Sequence, residues 1–220
     1  MTSRTKIGLL AACVALTAGA GVAQESTNRV AANTDWSVFV EENPKECWGV
    51  SAPKETVNSK DGQPVAVRRG DILLFVTFRP GSADGEVSFT GGYPFAGGST
   101  VELDVGGTKF DLFTDGEWAW SGSKEDDARI ITALKGGSSV VLSARSGRGT
   151  QTKDTFSLNG ISAALDFVLL AAELAAGGRG VEDRLDELAE RFGGSASGQV
   201  SIRVTDLGEI AAMTSRLREQ

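Results

Sequence analysis

Short apolar segments of strand length, each closed by a turn signal, constrain this chain more than any other feature of it. They are clearest in residues 68–95, RRGDILLFVTFRPGSADGEVSFTGGYPF. Residues 72–78 form an apolar run rich in β-branched and aromatic side chains, the composition of a buried strand. Pro80-Gly81 and Asp84-Gly85 punctuate a turn. Glu86-Val87-Ser88-Phe89-Thr90 then alternates polar and apolar residues, as a half-buried strand does.

The same grammar extends in both directions. Trp36-Ser37-Val38-Phe39-Val40 and Cys47-Trp48-Gly49-Val50 are strand patterns separated by Asn43-Pro44. Residues 54–64 read as a loop, with Asp61-Gly62 as a hairpin signal. Residues 100–105 alternate, Gly106-Gly107 turns the chain, and residues 109–113 return it. Asp115-Gly116 precedes Glu117-Trp118-Ala119-Trp120. Residues 124–135 predict a short helix, with acids in its first turn, Ile130, Ile131 and Leu134 on one face, and Gly136 as a stop. Strands are predicted at 138–144 and 154–158, with a polar crossing over 145–153. Many short strands with turns roughly every ten residues argue for a mainly β chain, an antiparallel sandwich or barrel.

Beyond Asp166 the composition changes. Residues 167–220 hold no Lys, Trp, Pro, Tyr or Cys and are rich in Ala, Gly, Leu, Glu and Arg. Residues 161–176, 181–192 and 209–218 have helical patterns. The apolar run after Ile161 carries Asp166 and Glu173 and is too short to cross a bilayer. A helical C-terminal extension over 167–220 is therefore expected.

Composition removes several chemistries. The 220 residues contain no histidine, which excludes Ser-His-Asp and Cys-His catalysis and histidine-based metal sites. With only Cys13 and Cys47 there is no zinc finger or ribbon. A net charge of −7 makes nucleic acid a poor partner. The Gly-rich stretch 91–98 lacks the Gly-Lys-Ser/Thr ending of a phosphate loop. Glu125-Asp126-Asp127 lacks the spacing and glycine of a calcium loop and reads as a helix first turn. No metal, cofactor or catalytic group is expected.

The first 23 residues read as an export signal. Arg4 and Lys6 precede an apolar stretch, and Gly21-Val22-Ala23 offers the small residues a signal peptidase needs. Cleavage is expected after Ala23. The lipobox-like Leu10-Ala11-Ala12-Cys13 is the rival reading, set aside because the apolar run continues past Cys13. Residues 24–34 are expected to be a loose polar leader, and the mature protein periplasmic or secreted.

Several segments in order carry a family resemblance. They are Trp36 followed by Cys47; Val76-Thr77-Phe78-Arg79-Pro80-Gly81; Gly92-Tyr93-Pro94-Phe95; Phe110-Asp111-Leu112-Phe113-Thr114 ahead of Ala119-Trp120; and Ser146-Gly147-Arg148-Gly149-Thr150 with Thr155-Phe156-Ser157-Leu158-Asn159-Gly160. Over 35–166 the chain resembles the invasion-associated locus B family of exported bacterial proteins. The resemblance implies an immunoglobulin-like antiparallel β-sandwich secreted across the inner membrane, linked in pathogenic members to entry into host cells, in a family most of whose members have no assigned biochemical activity. With the short helix read at 124–135, the expectation is a non-enzymatic protein that acts by protein–protein contact. A periplasmic binding or stress-protection module without a host role is the alternative. The family's usual second cysteine, partner of the one at Cys47, would follow the segment matching 156–165, and none is present here. The chain would then lack a bridge contributing about 4 kcal/mol in the chain-entropy model. That departure, with the shift in composition, reads as a tail replaced late, a shifted reading frame being one route to it; a native tail is the alternative.

Three sets of residues are candidate contact sites. Tyr93, Phe95, Trp118 and Trp120 could anchor a partner; as core they would cap the end of a sandwich, with both tryptophans of Trp118-Ala119-Trp120 pointing inward. Arg69-Gly70-Asp71 is an integrin-recognition tripeptide, or marks the solvated end of a strand. Cys47, unpaired once Cys13 is removed, is a structural residue that could link two copies of the chain.

Overall fold

The computed structural model describes residues 29–42 and 45–176. Twelve strands and two helices follow one another as β1 (Arg29–Asn33), β2 (Trp36–Glu42), β3 (Lys45–Ser51), β4 (Glu55–Lys60), β5 (Gln63–Pro64), β6 (Leu73–Phe78), β7 (Gly85–Thr90), β8 (Thr100–Val105), β9 (Thr108–Asp115), β10 (Trp118–Trp120), α1 (Lys124–Gly136), β11 (Ser139–Arg145), β12 (Gln151–Ser157) and α2 (Ile161–Ala175). All strand pairings are antiparallel. They form one continuous sheet in the order β1-β2-β3-β6-β7-β10-β9-β8-β11-β12-β4-β5.

The sheet folds over on itself. Phe89 on β7 meets Phe156 on β12 edge to face, ring centroids 6.2 Å apart, although four strands lie between β7 and β12 in the sheet order. The Trp36 indole on β2 donates to the Ser157 carbonyl of β12 at 3.1 Å. Alternation sends Val38, Leu74, Val76, Val87, Phe89, Val101, Leu103, Leu112, Val140, Leu142 and Phe156 into one shared core. The central hairpin is as the sequence predicts, with Val76 opposite Val87.

Segments read as loop supply three further strands. β1 lies within the expected leader and pairs with β2, burying Ala31. β4 and β5 occupy the stretch read as loop, joined by Asp61-Gly62, both with positive φ (51° and 76°), as a two-residue hairpin turn with a right-handed strand twist requires.

Helix α1 matches its sequence signature: the Ser123 side chain accepts from the Asp126 N–H, and Ile130 and Leu134 are buried. Asp127 faces inward. Strand β10 ends opposite Ser88, and one residue further the Val87 N–H donates to Asp127 Oδ1 at 2.8 Å, pinning the helix to β7.

Helix α2 runs across the expected boundary at 166/167. Its C-terminal part places Phe167, Val168, Leu170, Ala171 and Ala172 in the same core as the strands. No described helix is long and apolar enough to cross a membrane. The export signal at 1–23, Cys13, and the helical patterns at 181–192 and 209–218 lie outside the described residues.

Candidate functional site: an aromatic face and a buried arginine clasp

The four aromatic residues singled out in the sequence divide between inside and outside. Phe95 is core, packed against Phe89 and Tyr93. Tyr93 packs against that core, and its hydroxyl bonds to Thr152 Oγ1. Trp118 and Trp120 share one sheet face, as their spacing requires, but it is the outer one; the inward position of β10 belongs to Ala119, fully buried. Core packing of the two indoles is thus corrected by strand register.

Around them lies a larger aromatic face that the sequence reading missed. Cross-strand partners point to the same side of a sheet. Val50, Phe75, Ser88, Trp120 and Phe113 stand in one such row across β3, β6, β7, β10 and β9. Trp118 stacks beside Trp120 with centroids 6.3 Å apart and lies 5.6 Å from Phe75. In the neighbouring row Phe39 and Trp48 stack at 5.8 Å. Phe113 is 60 % exposed and Trp118 39 %, high values for rings that folding would normally withdraw from water. The available signal was the alternation of residues 110–113 around buried Leu112, which puts Phe113 opposite the core.

Charges on this face are unevenly balanced. Arg79 is held by Glu46 at 2.8 Å and Glu86 at 3.1 Å, and Lys109 by Glu102 at 3.0 Å. Among the described residues, Asp111, Asp115 and Glu117, beside Phe113 and Trp118, enter no ion pair.

The Arg69-Gly70-Asp71 tripeptide does a different job from the one its letters suggest. The Arg69 side chain is 6 % exposed and clasps fully buried Asp154 with two bonds, Nη1–Oδ1 at 2.7 Å and Nη2–Oδ2 at 2.6 Å. Its Nε donates to the Gly91 carbonyl at 2.9 Å and Nη1 to Asn58 Oδ1 at 3.3 Å. The guanidinium also lies over the Tyr93 ring, 5.0 Å from the centroid. The Gly70 N–H bonds to the Gly92 carbonyl at 2.9 Å. Gly92 has φ +71°, and a Cβ there would sit 2.6 Å from the Gly70 carbonyl oxygen, so this close approach requires glycine. Of its two charged residues only Asp71 is exposed. A receptor that needs both charged ends of the tripeptide meets only one, and Arg69 is not the solvated residue expected at a strand end.

Cys47 on β3 is 1 % exposed, in the core. Burial, with a smaller contribution from Glu46, pushes its thiol up to about 12, so the nucleophilic thiolate is scarce at neutral pH. A bridge to a second copy would need β3 to leave its place between β2 and β6. We expect the folded protein near pH 8 not to react with a chromogenic thiol reagent over hours, and Cys47 to react within minutes once denaturant is added; rapid labelling of the folded form would contradict this burial.

Comparison with known proteins follows the same stretch of chain. The family model described as "Invasion associated locus B (IalB) protein" matches residues 36–168. The chain belongs to the IalB family. The match begins at the first residue of β2 and ends inside α2. A crystal structure of invasion associated protein B from Bartonella henselae resembles the chain with a TM-score of 0.42 and 19 % identity, covering 63 % of this chain and 94 % of that one. A protein of Haemophilus influenzae described as "Probable phosphomannomutase" is 45 % identical over 60 residues, 27 % of this chain. The chain spans only 12 % of that protein's length, and the activity named for it stays with it.

Proposed function

We propose that this IalB-family chain is an exported, non-enzymatic protein that works by protein–protein contact through the outer face of its sheet. The folded-over sheet would serve as the two layers of an immunoglobulin-like sandwich, and the protein would act in the periplasm or after secretion. The family's name points to contact with a host cell; a periplasmic binding or stress-protection role is the competing reading. The observation that carries the proposal is the exposure of Phe113 and Trp118 beside Trp120 and Phe75. Such rings lend a contact large apolar area at little cost in side-chain entropy.

The test compares the protein with a Phe113→Ser/Trp118→Ser variant, each immobilised and offered envelope extract and host-cell membranes separately. Truncating two anchor residues should weaken retention of the bound species by tenfold or more, since each is worth at least ~1 kcal/mol. Retention only from host membranes supports the invasion reading, and only from envelope extract the periplasmic one. Equal retention by both proteins would sink the proposal.

A further inference from the structure

We infer that the partner of the aromatic face is a cationic chain segment, one presenting arginine or lysine to the indoles and to the carboxylates beside them. This rests on the proposed contact role and adds its chemistry. Exposed Trp118 and half-buried Trp120, stacked together, offer π-systems that attract cations. Asp115 is the cross-strand partner of Trp118. Glu117 lies in the turn between them, and Asp111 is two residues from Phe113 on the same face. All three are exposed and outside any ion pair among the described residues. Arg79 and Lys109 on this face are already held by Glu46, Glu86 and Glu102. The local field is therefore negative, in a chain of net charge −7.

That balance decides among occupants. A second copy would bring its own Asp111, Asp115 and Glu117 against these three, and apposed like charges oppose association. An acidic segment meets the same repulsion. A basic segment gains from both features of the site: its charges pair with the carboxylates and its side-chain stems and guanidinium planes lie along the rings.

The experiment titrates the full chain with a repeating Arg-Gly-Leu peptide by calorimetry, at about 50 mM and about 200 mM salt. Binding is expected at the lower salt and should weaken about tenfold at the higher. Trp118→Ala/Phe113→Ala should lower affinity about tenfold. Asp115→Asn/Glu117→Gln should lower it comparably and flatten the salt dependence. Asp61→Asn/Glu125→Gln, which removes two charges elsewhere, should change nothing, and melting curves confirm that each variant is folded. Equal binding by all variants would show general attraction to an acidic protein and overturn the inference, as would no binding at the lower salt. A Glu-Gly-Leu peptide that bound as well, with the same dependence on Trp118, would overturn the cationic partner while leaving the contact face standing. Dimerisation lost on Trp118→Ala would assign the face to a second copy and overturn it too.

Discussion

Replacing Asp154 by alanine will lower the stability of the folded chain by about 3–5 kcal/mol, the cost of stranding a buried charge, and its melting temperature by roughly 10 °C or more. Arg69 cannot turn to water when its partner is removed. Its Nε stays tied to the Gly91 carbonyl, Tyr93 lies against its plane, and the clasp is built into the path by which the chain enters β6. The clasp joins the two halves of the folded-over sheet, since Asp154 stands on β12 and Arg69 leads into β6. Arg69→Lys will recover little, because one ammonium cannot reproduce a two-pronged bond and a stacked plane together. The double variant Arg69→Met/Asp154→Leu will recover most of the loss, because no charge is then left buried without a partner. Denaturant midpoints of the four proteins decide it. A loss below about 1 kcal/mol for Asp154→Ala, the range of exposed ion pairs, would mean the pair is not shielded from water.

Reading the sequence found the strands with several inward apolar residues, and lost those with few or none. The β6–β7 hairpin was legible because Leu74, Val76, Val87 and Phe89 all point to the core. β12 points Thr152, Asp154 and Phe156 inward, so only its end resembles a strand and its start reads as a polar crossing. β4 has no buried residue at all; it is held by backbone pairing to β12 and β5, which leaves no mark on side-chain pattern. Which way the candidate contact surface faces was hidden for a related reason. A period of two says that Trp118 and Trp120 share a face, but not which face is wet. Ala119 answers that, because it is the residue of β10 buried in the core, and the answer comes from packing. Arg69-Gly70-Asp71 was read as a linear motif, yet its partners lie 85 residues away at Asp154 and 22 away at Gly91.

At the C-terminal end of the described chain, a change of residue usage at Asp166 suggested that a new unit begins. Substituting Val168 by aspartate tests this most severely: we expect a loss above about 4 kcal/mol, in the range reserved for buried unpaired charge and a large share of the 5–15 kcal/mol that typically holds a domain together. Val168 is fully buried, and its neighbours on α2 reach the sheet where β3 leaves room for them. A Cβ on Gly49 would lie 3.3 Å from Leu165 Cδ2 and 3.7 Å from Val168 Cγ2, so the helix packs directly on the β3 backbone. With Ile161, Leu165, Phe167 and Leu170 also buried, α2 is covered on most sides, the signature of a core helix and not of a surface one. Ser162→Asp, near the helix start and exposed, adds the same charge where the macrodipole favours it, and should leave stability within about 0.5 kcal/mol. If Val168→Asp proved as mild as Ser162→Asp, the helix would be an appendage resting on the fold. If it unfolds the sheet, residues on both sides of Asp166 belong to one cooperative unit, and the shift in composition marks no boundary in the folded chain.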